Sequence, residues 1–122
     1  MSANSKKILI VDDEEGIRES LKLILSDRYE LVLTDNGPQC LDILARAKDI
    51  GLVLLDIKMP QVSGLNVLKE IQEKHPGVKV IVVTGYKSVE TATEASSLGA
   101  AGYIVKPFKS DEVLEVVGRE MR

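Results

Sequence analysis

The chain has 122 residues, of which 44% are hydrophobic and 29% charged, and a formal net charge of −3. That length suits one domain, and the composition excludes a disordered tract and a basic footprint for nucleic acid or an anionic membrane. One cysteine, Cys40, cannot form an internal disulfide, and 3% aromatic content without Trp disfavours base-stacking sites.

In chain order, Met1 to Lys7 reads as a solvated start before the apolar run Ile8–Val11, which Asp12-Asp13-Glu14-Glu15 ends at once. That run is too short for a secretion signal, and no other stretch approaches the roughly 20 apolar residues of a membrane span. The expectation is a cytoplasmic protein with no membrane partner and no direct nucleic-acid partner. Ile17, Leu21, Ile24 and Leu25 share one face of a first helix. A second run, Leu31–Leu33, precedes a helix carrying Leu41, Leu44 and Ala47, with Pro38 suited to its first turn and Cys40 on its apolar face. Leu52–Leu55 leads to a helix marked by Leu65, Leu68 and Ile71 and stopped by His75-Pro76-Gly77. Val80–Val83 is followed by a helix over residues 88–98, ended by Gly99, whose inward face is read as Val89, Ala92, Ala95 and Leu98. Tyr103–Val105 precedes a last helix with Val113, Leu114, Val117 and Met121, for which Ser110 is the expected N-cap.

The five runs are continuous rather than alternating, as in parallel strands covered on both faces. Strand and helix alternate five times with short connections. The predicted fold is a (βα)5 doubly wound α/β domain with strand order 2-1-3-4-5, one domain over residues 1–122 with no room for an output domain.

Ligands of open α/β sheets bind beyond the carboxyl ends of the strands, at the point where strand order reverses. Those ends carry Asp12 and Asp13 after the first strand, Asp56 after the third, Thr84 after the fourth and Lys106 after the fifth. Three carboxylates in one patch repel by about 4 kcal/mol per pair at 4 Å and an effective dielectric near 20. Either their pKa values rise or a cation neutralises them, and a few partly hydrated oxygen ligands suit Mg2+. A carboxylate nucleophile, a Mg2+ pocket, a lysine and a hydroxyl are the parts that phosphoryl transfer to a side chain requires.

The sequence resembles the receiver domain of a bacterial two-component response regulator. The motifs are Val11-Asp12-Asp13, Leu55-Asp56-Ile57-Lys58-Met59-Pro60 with Gly64, Val83-Thr84-Gly85, and Gly102-Tyr103-Ile104-Val105-Lys106-Pro107-Phe108. Each is weak alone; in order, at four strand ends, they are specific. The resemblance implies a phosphorylation-operated switch, not a conventional enzyme, that takes a phosphoryl group on Asp56 from a histidine kinase or phosphotransfer protein. It implies Mg2+ held by Asp13 directly, Asp12 mainly through water, Asp56 and the Lys58 carbonyl. It further implies a switch pair of Thr84 and Tyr103, phosphoryl binding by Lys106, and a cis bond before Pro107. The fourth helix, fifth strand and fifth helix would present a surface for dimerisation or a partner, with an output domain outside this chain. Lys58 and Tyr86, each two residues past a motif residue, are expected to flank the site and slow hydrolysis of the phosphoryl group.

Three rivals are weaker. A pure interaction domain would not need every acid, the Thr and the Lys. A flavodoxin-like cofactor binder needs a phosphate-cradling loop where Asp12-Asp13-Glu14-Glu15 would repel phosphate. A haloacid-dehalogenase-type phosphatase would want an acid where Lys58 stands.

Overall fold

The computed structural model describes residues 6–59 and 62–122. Met1 to Ser5, and Pro60 of the third-strand motif, lie outside the described residues. Five strands and five helices alternate: β1 (Lys7–Val11), α1 (Glu15–Leu25), β2 (Leu31–Thr34), α2 (Gly37–Arg46), β3 (Ile50–Leu55), α3 (Gly64–Lys74), β4 (Lys79–Thr84), α4 (Val89–Ser97), β5 (Gly102–Val105) and α5 (Ser110–Met121). The strands pair in parallel in the order β2-β1-β3-β4-β5, as expected. Each strand extends past its apolar core, because ladder hydrogen bonds recruit flanking polar residues such as Lys7, Lys79 and Thr84.

Alternation along each strand divides the apolar residues between the two faces. Leu9, Val11, Val53, Leu55, Val80 and Val82 face α2, α3 and Ala95 of α4. Ile8, Ile10, Leu52, Leu54, Ile81, Val83 and Ile104 face α1 and α5. All of these strand residues are at most 1% exposed, and burying each aliphatic side chain contributes about 1.5–3 kcal/mol. The central strands are thereby held stiffly, which fixes where their last residues point. Cys40 is buried in the first of these clusters, and burial pushes its thiol up to about 12.

Helix ends follow local chemistry. Asn36 accepts from the Gln39 amide at the start of α2, where Pro38 sits in the first turn, and Ser88 accepts from the Thr91 amide at the start of α4. His75 caps the end of α3, and Gly99, at φ 102°, follows α4 in the left-handed region that favours glycine. Two expectations are corrected. Ser110 is the first helical residue of α5, and Lys109 stands at the N-cap without a side-chain cap. Val89 is 79% exposed rather than inward. Six residues span about 1.7 turns, so Val89 lies about 120° around the helix from the buried Ala95.

Candidate functional site

The register brings the acids together. Val11 and Leu55 are opposite each other at the ends of β1 and β3, so the residues that follow them, Asp12 and Asp56, leave the sheet side by side. The Asp56 amide donates to the Val11 carbonyl at 3.0 Å, continuing the ladder by one residue. Both aspartates then turn back onto their own chain. Asp12 Oδ1 accepts from the Glu14 amide at 2.9 Å, and Asp56 Oδ1 accepts from the Lys58 amide at 2.9 Å. Such a turn is the local habit of aspartate at a strand exit and leaves the second oxygen free of the local backbone. Arg18 holds the first loop by donating to the Asp12 carbonyl at 2.7 Å.

Gly64 closes the loop after β3. Its amide donates to the Ile57 carbonyl at 3.2 Å, and a Cβ there would lie 2.3 Å from Ile57 Cα and 2.5 Å from the Asp56 carbonyl oxygen. Only glycine allows α3 to start this close to the backbone of Asp56.

Asp12 and Asp56 are 1% and 2% exposed, whereas Asp13 is exposed. One oxygen from each of the three lies within 4.8 Å of the others. Lys106 reaches the cluster from the end of β5, with Nζ 2.9 Å from Asp12 Oδ2, 3.0 Å from Glu14 Oε1 and 3.4 Å from Asp56 Oδ2. The contact with Asp12 Oδ2 has the distance of an ion pair but not the direction of a hydrogen bond, so this buried oxygen lacks a hydrogen-bond donor. A buried acceptor without a donor, beside two further carboxylate oxygens, fits a hard divalent cation. The donor set is therefore suited to Mg2+.

Burial, more than mutual repulsion of the acids, is the larger cause of tension in this cluster. Burial raises the Asp12 and Asp56 carboxyls above the ordinary range. The Lys106 ammonium and the Glu14 amide oppose the rise at Asp12; the Lys58 amide and Lys106 oppose it at Asp56. Neighbouring acids raise both further, Asp56 acting on Asp12 and Asp13 on Asp56. Burial works against the Lys106 charge, yet its contacts with Asp12, Glu14 and Asp56 outweigh that and raise its pKa.

Thr84 is fully buried at the end of β4, and its hydroxyl accepts from the Tyr86 amide at 3.4 Å. Among the described residues no hydrogen bond ties Thr84 to the acids. Tyr103, on the edge strand, is partly buried, and its hydroxyl donates to the Tyr86 carbonyl at 2.9 Å. Lys58 and Tyr86 meet, with the Lys58 ammonium 5.4 Å from the centroid of the Tyr86 ring. The Lys106–Pro107 bond is cis.

Glu14 is the residue that sequence reasoning missed. It stands in the acidic run after β1, and 92 residues separate it from Lys106.

The response regulator receiver domain family model matches residues 8–118. The chain belongs to this family. The receiver domain is 38% identical over 117 residues to the regulatory protein AtoC of Escherichia coli, covering 95% of this chain and 25% of that protein. It is 37% identical over 114 residues to the sporulation initiation phosphotransferase F of Bacillus subtilis, covering 93% of this chain and 91% of that one. Among solved structures it is similar to a CheY-like receiver domain protein of Methanospirillum hungatei, at a TM-score of 0.89 and 35% identity over 96% of this chain and 94% of that one. The receiver domain of NtrX from Brucella abortus matches at a TM-score of 0.86 and 38% identity, over 94% and 98% of the two chains. This chain thus spans about a quarter of one relative and nearly all of another. It is a receiver domain of the two-component response regulators, a signalling domain, and among the described residues no helix is long and apolar enough to cross a membrane.

Proposed function

We propose that this receiver domain takes a phosphoryl group on Asp56 from the phosphohistidine of a sensor histidine kinase or phosphotransfer protein, in a Mg2+-dependent step. One observation carries the reading. Asp56 is nearly fully buried at a strand end, with one oxygen held by the Lys58 amide and the other facing the Lys106 ammonium. In the transfer an Asp56 oxygen bonds to phosphorus as the N–P bond of the donor breaks. The bonding pair passes to the imidazole nitrogen, which takes a proton from solvent. Asp12, Asp13, Asp56 and the Lys58 carbonyl would hold Mg2+, which supplies the positive charge that lets phosphoryl oxygens approach three carboxylates.

Lys106 is then the protein's own cation for the phosphoryl oxygens, and Thr84 offers its hydroxyl from β4. Moving that hydroxyl towards the phosphoryl would release the Tyr86 amide that it now holds. Tyr103, joined to the Tyr86 carbonyl, passes the change to the α4–β5–α5 face. A groove of about 540 Å3 between α4 and β5, lined in part by Val89, Ala92, Tyr103 and Val105, gives that face somewhere to receive a second copy or another partner. Lys58 and Tyr86 cover the line along which water would attack the phosphoaspartate.

In this reading residues 1–122 form one receiver domain that works in the cytoplasm. It catalyses only its own phosphorylation and dephosphorylation, makes no direct contact with nucleic acid, and acts through an output domain or partner outside this chain. Incubation with Mg2+ and acetyl phosphate or beryllofluoride tests the reading, comparing the parent with Asp56→Asn. The expected result is an Asp56-dependent, metal-dependent modification; its absence, or indifference to metal, overturns the proposal. Chromatographic size with and without beryllofluoride tests the dimer.

A further inference from the structure

Lys106 is surrounded by three carboxylates, and the one that belongs to neither the nucleophile nor the cation cluster is Glu14. Its Oε1 is 3.0 Å from Lys106 Nζ, closer than Asp56 Oδ2 at 3.4 Å. Its backbone is fixed as the N-cap of α1, and its amide already holds Asp12 Oδ1. Glu14 also stands outside the three-carboxylate cluster suited to a cation, which comprises Asp12, Asp13 and Asp56. A divalent ion entering that cluster would engage Asp12 and Asp56, the other two partners of Lys106. Glu14 would then be the remaining carboxylate holding the ammonium.

The geometry points to Glu14 as a positioning residue for phosphoryl binding: its carboxylate holds Lys106 on the Asp12 side of the site, and the ammonium must exchange Glu14 for phosphoryl oxygens when Asp56 is modified. The inference rests on Asp56 being the phosphoacceptor. Glu14 touches neither phosphoryl nor metal and acts only through Lys106. The exchange is cheap because the Glu14 side chain is 62% exposed, so the pair is of the surface kind, whereas the Lys106 side chain is only 13% exposed. The arrangement tunes how tightly the phosphoryl state is held without changing the nucleophile.

The test is Glu14→Gln, which keeps the size of the side chain and removes its charge. Beryllofluoride is titrated in saturating Mg2+, followed by the amide resonances of Asp56 and Lys58, in the parent and in a Lys106→Met background. The side-chain ammonium resonance of Lys106 is recorded separately with no phosphoryl analogue present. With Lys106 in place, Glu14→Gln should tighten beryllofluoride by about 1.5- to 5-fold, the range an exposed ion pair supports. In the Lys106→Met background the same change should have no effect, and the Lys106 ammonium resonance should move in the single variant. An equal gain in both backgrounds, weaker binding, or an unmoved ammonium resonance overturns the inference. If the parent itself takes no beryllofluoride, the phosphoacceptor reading fails, whereas the ammonium resonance still reports on the Glu14–Lys106 contact.

Discussion

Replacing Gly64 by alanine tests how the loop carrying Asp56 is held. The added Cβ would stand 2.3 Å from Ile57 Cα and 2.5 Å from the Asp56 carbonyl oxygen, both backbone atoms. No side-chain rotamer relieves such a contact. Either the start of α3 or the loop must withdraw by about 1 Å to reach ordinary van der Waals separation. Insertions of this size into packed structure cost about 1–3 kcal/mol. A domain of 122 residues has an unfolding entropy of about 0.26 kcal/mol/K, so the melting temperature should fall by about 4–12 °C. Gly118 is the matched control. It lies inside α5 with nothing within 4 Å of its Cβ position, so alanine there should add about 0.5–1 kcal/mol of helix propensity and raise melting by about 2–4 °C. Differential scanning calorimetry of both variants measures the pair. A Gly64→Ala protein that melts at or above the parent would refute the claim that backbone approach, rather than turn conformation, requires glycine here.

Two further predictions concern the acids and their cover. Burial raises the Asp12 and Asp56 carboxyls in the folded chain, so between the ordinary carboxylate range and the raised values the folded state binds more protons than the unfolded one. Their contribution to stability therefore falls as pH rises through that window and is recovered as pH falls below the ordinary range. In metal-free buffer, Asp12→Asn and Asp56→Asn should each flatten that fall and melt above the parent at pH 7, with Mg2+ stabilising the parent more than either variant; melting curves against pH check both, and lower melting temperatures for the asparagine variants count against the buried-charge account. The Lys58 ammonium over the Tyr86 ring is a contact worth about 0.5–1 kcal/mol at an exposed site. Lys58→Ala and Tyr86→Ala should each speed Mg2+-dependent loss of the phosphoryl group, and unchanged decay of the phosphorylated protein would remove them from any shielding role.

Much of the architecture is legible locally. Continuous Val, Ile and Leu runs alternating with helical spacing place every strand and helix, because a strand buried on both faces and a helix buried on one leave different periods in the chain. Errors fall where a residue's role depends on angle or context. Val89 has the right chemistry for an inward face, but its position around α4 turns it to solvent. Ser110 is a good capping residue, but the helix begins on it rather than after it. The acids are legible because an aspartate interrupting an apolar run at its end is conspicuous, and strand order then brings Asp12 beside Asp56.

The family, the alternating fold and the set of groups that meet at the strand ends are all legible in the amino-acid order. These follow from periodicity and from short motifs, each confined to a few neighbouring residues. Tertiary structure alone decided that Asp12 and Asp56 are buried while Asp13 is exposed. It also decided that Tyr103 bonds to the Tyr86 carbonyl, and that Lys106 lies nearer Asp12 and Glu14 than Asp56. Burial and charge pairing act over a few ångströms in space, and the partners come from segments up to 92 residues apart. Side-chain periodicity records which way a residue faces, not which distant group the folded chain brings to meet it.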